Sequence, residues 1–279
     1  MAISGGIKFF DKSRCLLKDG ASITASSGVA SEDYAIDQNV ETFWRSSGSN
    51  DSTAETLTVV FDSREISRIL ILNHNFKNFN IKYDVSGVWT AFSSVVGING
   101  SLSGITETTF ADNSSYYEFT PVTTTQIQIT INTTQVVNAE KYISQIIVTS
   151  EIGTLQGYPI VGSVDMGRNL RSVKTLSGFF SIQKSLEVPS FDLNFKEYPA
   201  SSTYNVDFDV VMSLHDREDA FLVWLCGGRR GSTYFKYTLR GWRLQDVFQM
   251  QVSKPLKLSY SDNVYKAPIS TKLELEAVI

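Results

Sequence analysis

Gln126-Ile127-Gln128-Ile129-Thr130-Ile131 decides how the chain is read. Polar and apolar residues alternate strictly over these six positions. In an extended chain this puts Ile127, Ile129 and Ile131 on one face and Gln126, Gln128 and Thr130 on the other, the pattern of a half-buried β-strand. Working outward, Thr56-Leu57-Thr58-Val59-Val60-Phe61 and Arg68-Ile69-Leu70-Ile71-Leu72 read as strands. Asn80-Ile81-Lys82-Tyr83-Asp84-Val85 alternates in the same way, Ser86-Gly87 turns the chain, and Val88-Trp89 begins the return. A further strand is expected from Ile143 to Thr149. Short strands separated by Gly, Asn and Ser turns predict a mainly β protein, a β-sandwich or jelly roll.

The 279 residues suffice for two domains or one large all-β domain. With 42% hydrophobic and 19% charged residues, the chain sustains a packed core and global disorder is not expected. No apolar run approaches the ~20 residues of a membrane helix, so no membrane insertion is expected. A net charge of −4 argues against a general nucleic-acid binder. Cys15 and Cys226 form no CxxC and are read as free buried thiols. The opening Met1-Ala2-Ile3-Ser4-Gly5-Gly6 lacks the basic and apolar regions of a signal peptide, so synthesis in a cytoplasm without general export is expected.

The chain changes character part-way. Residues 1–152 carry 10 basic and 16 acidic side chains, whereas residues 153–279 carry 15 and 13. Gly153, Gly157 and Pro159 punctuate the junction, which sets expected domains of 1–152 and 153–279. In the second, Asn205–Val210 alternates as a strand. Ser213 then reads as an N-cap, opening a helix near 214–226 with Leu214, Phe221, Trp224 and Leu225 as its apolar stripe and Gly227-Gly228 as its stop. Strands are expected at Tyr234–Arg240, Leu244–Val252 and Lys272–Val278. The second domain is thus read as β-rich with one flanking helix.

Ala25-Ser26-Ser27, followed by Ala35-Ile36-Asp37-Gln38-Asn39-Val40-Glu41-Thr42-Phe43-Trp44-Arg45-Ser46, resembles the opening of discoidin domains. These are also called coagulation-factor type C domains and have a galactose-binding-like jelly-roll fold. The family pattern is Ala-x-Asp-Gly-Asn-x-x-Thr-x-Trp; Gln38 stands where it has glycine. The resemblance continues through Glu55 to Phe61, Ile66 to Leu72, Phe79 to Trp89 and Ile146 to Ile152, covering roughly residues 20–152. It implies a structural calcium ion with Asp37, Asn39 and Thr42 as ligands and Glu151 completing the shell. Such a turn brings together the hard oxygens calcium needs. The other reading of the same cluster is a metal-free Asx turn held by side-chain hydrogen bonds. Trp44 is expected to pack in the core.

Domains of this family bind glycans, lipid head groups or proteins through variable loops at one end. The candidates here are His74, Asn75, Phe76 and Lys77 in the 73–78 segment, together with Trp89, because a sugar ring needs a stacking face beside hydrogen-bonding groups. For His74 the alternative is a loop histidine bonded to nearby backbone.

In the second half, Ala220 to Gly231 and Tyr237 to Leu244, with the closing Leu273-Glu274-Leu275-Glu276-Ala277-Val278-Ile279, resemble tail-tip and minor tail proteins of long-tailed bacteriophages. Arg229, Arg230, Arg240 and Arg243 form a basic group, either a solvated face or a contact to an acidic neighbouring subunit. Gly-x-Ser-x-Gly, His-Glu-x-x-His and a phosphate-cradling loop are all missing from the sequence, and the reading is non-enzymatic. The sequence therefore predicts a structural virion protein of a phage tail tip or baseplate, assembled in the host cytoplasm. Its second domain would form a homo-oligomer and meet other tail proteins, and its first would be exposed to a host-surface glycan or protein. The alternative is a free carbohydrate-binding or adhesion module.

Overall fold

The computed structural model describes residues 7–28, 31–39, 41–48, 50–97, 100–155, 160–167, 170–174, 180–184, 188–198, 202–217, 219–224, 247–252, 257–260 and 269–277. Side chains are described through residue 155, over 209–217 and over 219–224. The protein is mainly β. Two compact units divide it: Phe10–Glu151 form the first, and residues 7–9, 152–224 and 247–277 the second. The chain path is thus not two consecutive halves, because the N-terminal strand enters the second unit's sheet.

The strands up to residue 149 are β1 (Ile7–Phe10), β2 (Ser22–Ala25), β3 (Trp44–Arg45), β4 (Glu55–Leu72), β5 (Phe76–Val85), β6 (Val88–Ala91), β7 (Val95–Gly97), β8 (Gly100–Leu102), β9 (Ile105–Glu107), β10 (Ser115–Thr134), β11 (Tyr142–Ile143) and β12 (Gln145–Thr149). The first unit is built on β4 and β10, 18 and 20 residues long. The segments 56–61 and 68–72, expected as separate strands, are one strand that runs through an exposed stretch at residues 62–65. Its two ends take different partners. Residues 55–60 pair with Gln126–Ile131 of β10, and residues 57–60 also with β2. Residues 66–71 pair with residues 115–122, and residues 68–72 with β12. Register shifts between Glu118 and Val122 and between Thr124 and Gln126 mark the bend, as bulges do.

A sandwich-like core lies inside this bent sheet. Ile127, Ile129 and Ile131 are fully buried, as the alternation predicts, against Leu57, Val59, Phe61, Ile69, Ile71, Phe79 and Ile81. Each such side chain contributes ~1.5–3 kcal/mol by burial. Ile69 and Ile71 face the core, and Leu70 on the opposite face is buried as well, beside Tyr116 and Phe10, so this run shows no alternation. Phe10 lies 6.0 Å from Tyr116, which is paired with Leu70. Trp44 is fully buried and its Nε1 donates to Ser27 O at 3.2 Å, so it is a core residue. Ser86 and Gly87 have φ of 53° and 88°, the left-handed pair that a tight β5–β6 hairpin requires.

In the second unit the strands are β13 (Glu151–Leu155), β14 (Ile160–Gly167), β15 (Leu170–Lys174), β16 (Phe180–Lys184), β17 (Val188–Tyr198), β18 (Phe221–Trp224), β19 (Val247–Val252), β20 (Lys257–Tyr260) and β21 (Ile269–Ala277), with helix α1 at Ser202–His215. The main sheet runs β13-β1-β18-β19-β21-β17-β14, with β20 on β21, and β15 pairs with β16.

Two expectations are corrected here. Asn205–Val210 is helical, because Val206, Val210 and Leu214 also repeat every four residues, and Val210, Val211 and Leu214 are buried. The expected helix near 214–226 is instead the end of α1 followed by β18. Phe221, Leu222, Val223 and Trp224 are all buried, so this run is a strand covered on both faces rather than one stripe of a helix. The expected strand at Tyr234–Arg240 lies outside the described residues.

Gly153 on β13 faces Val210 of α1, and a Cβ at residue 153 would overlap Val210 Cγ2 and crowd Cγ1. Gly153→Ala should therefore destabilise the second unit by ~1–3 kcal/mol, read from its denaturant midpoint.

Candidate functional site

The loop end of the first unit is organised by residues 134–145. In β3, Trp44 points inward, so Arg45 points out. In β11, Ile143 points inward and Tyr142 out. The register places Arg45 opposite Tyr142. The Arg45 guanidinium lies 5.4 Å from the Tyr142 ring and 5.6 Å from the Phe43 ring, and these two rings meet edge-on at 5.7 Å. Arg45 Nη1 also donates to Glu140 Oε2 at 3.0 Å. The Arg45 and Glu140 side chains keep 44% and 35% of their surface exposed, so both remain within reach of a ligand. Two aromatic rings, a five-donor fork and a carboxylate thus share one solvent-facing platform.

Buried polar groups hold this platform in place. Lys141, almost fully buried between Glu140 and Tyr142, donates from Nζ to Asn50 O and Thr53 O, both at 2.8 Å. Its backbone N–H donates to Ser46 Oγ at 3.0 Å. Asp51 accepts from Thr134 N and Asn138 N, each at 3.0 Å. Desolvation pushes the Asp51 pKa up, but these hydrogen bonds, the Thr134 hydroxyl and the Lys141 charge outweigh it and leave the carboxyl below its usual range. Asn75 Nδ2 donates to Glu140 O at 2.7 Å, and its Oδ1 accepts from Tyr142 N at 3.1 Å.

The ligand residues expected from sequence do not assemble. His74 and Phe76 are fully buried, and Asn75 is buried as a bridge to residues 140–142. The His74 ring stacks on Phe110 at 5.3 Å and packs against Phe76 and Phe79. Its Nδ1 accepts from Phe76 N at 3.1 Å, and Nε2 finds no partner among the described residues. It is bonded to nearby backbone, as the second reading expects, but buried in the core, where desolvation lowers its pKa to about 3. Lys77 is exposed and Trp89 half-buried, but they stand apart. Trp89 pairs with Asp84, seven residues along β5 from Lys77, which is roughly 23 Å at 3.3 Å per residue. Arg229, Arg230, Arg240 and Arg243 lie outside the described residues.

The loop expected to bind calcium is closed on itself. Asp37 Oδ1 accepts from Asn39 N at 2.8 Å, and Oδ2 accepts from the Thr42 hydroxyl at 2.7 Å. Asn39 Oδ1 accepts from Glu41 N at 3.1 Å. Glu151 is elsewhere: it is ion-paired with Arg68, and on the chain it stands six residues past Gln145, which touches Asp37. That is roughly 20 Å along an extended chain, so Glu151 does not complete a shell around this loop. Among the described residues, no three His, Cys, Asp or Glu side chains gather as metal ligands.

No known family profile matches the sequence, and no curated protein matches it. Solved structures similar to part of it include a family 32 carbohydrate-binding module of Clostridium perfringens NanJ, in complex with galactose (20% identity, 50% of this chain and 98% of that one, TM-score 0.39). A chitosan-binding module from the chitosanase/glucanase of Paenibacillus sp. IK-5 is also similar (17%, 49% and 97%, TM-score 0.39). So is SpGH29 (17%, 50% and 28%, TM-score 0.38), of whose length this chain spans less than a third. With identities of 17–20% and TM-scores below 0.5, the ligand has to be read from this chain's own side chains.

Two outcomes follow from the buried groups. Unfolding raises the His74 pKa from about 3 back to the ordinary 6.5, so between these values the unfolded chain binds the extra proton. Stability is therefore unaffected above pH 6.5 and falls as pH drops through that window, by up to ~1.4 kcal/mol per pH unit. His74→Gln, which cannot titrate, should melt with a shallower pH slope between pH 6.5 and 4. Lys141→Met leaves two carbonyls without their buried donor and should cost ~1–3 kcal/mol in a urea titration.

Proposed function

We propose that the first unit is a glycan-binding module and that the sugar meets the Phe43, Arg45, Glu140 and Tyr142 platform. The observation that carries this reading is the convergence of two half-exposed rings with an arginine–carboxylate pair on one fixed surface. A sugar presents weakly apolar C–H faces for rings to cover and hydroxyls that donate and accept. Arg45 supplies donors, and Glu140 accepts. The discoidin-like motifs at Ala25–Ser27 and Ala35–Ser46 agree with a module of this kind. Attachment to a glycan-bearing surface is the role it would serve.

A place in a phage tail is a separate proposal tied to the resemblance of residues 220–244 and 273–279. The helix on which it drew is the strand β18, so nothing in the fold adds to it. Detecting the chain in purified particles is its test.

A glycan array probed with the full chain should show binding to a restricted set of oligosaccharides. Arg45→Ala and Tyr142→Ala should each weaken that binding by ~10-fold or more in calorimetric titration. Melting should move little, since an exposed ion pair and an exposed cation–π contact are each worth only ~0–1 kcal/mol. Lys77→Ala and Trp89→Ala should bind as wild type. A folded chain that binds no glycan on the array, or one whose binding survives both platform substitutions, overturns the proposal.

A further inference from the structure

The 34–42 loop has a centre, and a side-chain nitrogen occupies it. Gln145 Nε2 lies 2.9 Å from Tyr34 O, 2.7 Å from Asp37 Oδ1 and 3.1 Å from Asn39 O. Three oxygens from three residues of the loop thus converge on one donor. The amide orientation is set by its other end, because Gln145 Oε1 accepts from Gln38 N at 3.1 Å. Turning the amide over would aim an oxygen at three oxygens and an N–H at an N–H. Gln145 itself is buried and fixed at the start of β12, where it pairs with Leu72. Gln38, the departure from the family's glycine, has φ 68° and is the residue whose N–H locks that amide.

Calcium takes six to eight oxygens at ~2.3–2.6 Å. Here the position facing the Tyr34, Asp37 and Asn39 oxygens is filled by an N–H₂ group, which repels a cation. The fourth implied ligand, Glu151, is ion-paired with Arg68. The residues do not fit a calcium shell. We infer that the Gln145 amide takes the place of a cation in this loop, so that the first unit closes its Tyr34–Thr42 turn without metal.

The test uses the full chain. Its melting temperature should be the same in millimolar calcium and in chelator, and calorimetric titration with calcium should give no heat of saturable binding. Gln145→Met keeps the side-chain length and removes the donor. It should lower the melting transition of the first unit by roughly 3–8 °C, equally with calcium and with chelator. Melting of the wild-type chain that rises with calcium and falls with chelator overturns the inference, as does saturable calcium binding to it. A Gln145→Met chain that melts like wild type also overturns it, because the amide then closes nothing. If the variant fails to fold, the wild-type comparison still decides.

Discussion

Everything in the first unit hangs on the pairing of β4 with β10. In that pairing Leu57 stands opposite Ile129 and Val59 opposite Ile127, with all four side chains buried. A slip of one residue would turn Ile127, Ile129 and Ile131 to solvent and bring Gln126, Gln128 and Thr130 into the core. The register is therefore fixed by burial on one face. Because both strands are long and bend at the same place, one ladder serves two parts of the sheet. β2 and β5 attach along one half, and β7 and β12 along the other. The bulges near Thr124 are what let a single pair of strands enclose a core.

The loop end is held by a different kind of bond. There the backbone leaves the ladder, and the side chains of Asp51, Lys141 and Gln145 satisfy it instead. Lys141 takes the carbonyls of Asn50 and Thr53, Gln145 takes those of Tyr34 and Asn39, and Asp51 takes the amides of Thr134 and Asn138. Buried polar groups are costly unless paired, so each of these partners is specified by its loop rather than merely tolerated. One short segment, residues 134–145, thereby ties down the turns around Asp37 and Asp51, and the platform at Arg45 and Tyr142 sits between its anchors.

The sequence made legible whatever depends on period and local turn chemistry. Ile127, Ile129 and Ile131 face inward, Ser86-Gly87 turns the chain, and Trp44 is buried, each for a reason visible within a few residues. What escaped depends on more than one period or on distant pairing. Val206-Asp207-Phe208-Asp209-Val210 satisfies both a twofold and a fourfold repeat, and the buried face of α1 decided between them. Phe221 to Trp224 has no alternation because both of its faces are covered. His74, Asn75 and Phe76 have the composition of a sugar-binding loop, but burial against Phe79 and Phe110 makes them core. Alternation about Trp44 could have pointed to Arg45. Glu140 could not be joined to it from sequence, since the two lie 95 residues apart.

The residues that make the loops rigid are not the ones the loops display. A residue that anchors a loop is buried and hydrogen-bonded, which removes it from contact with solvent. Trp44, Asn75, Lys141 and Gln145 are each buried and hydrogen-bonded. The chain neighbours of Trp44 and Lys141, which are Phe43, Arg45, Glu140 and Tyr142, are turned outward by that anchoring, because in extended backbone adjacent side chains point to opposite sides. At Trp44 and Lys141 an anchor and an outward-facing group are thus produced together, and burying one fixes the direction of the next. The platform's geometry follows from buried groups beneath it, so it is ordered before anything meets it.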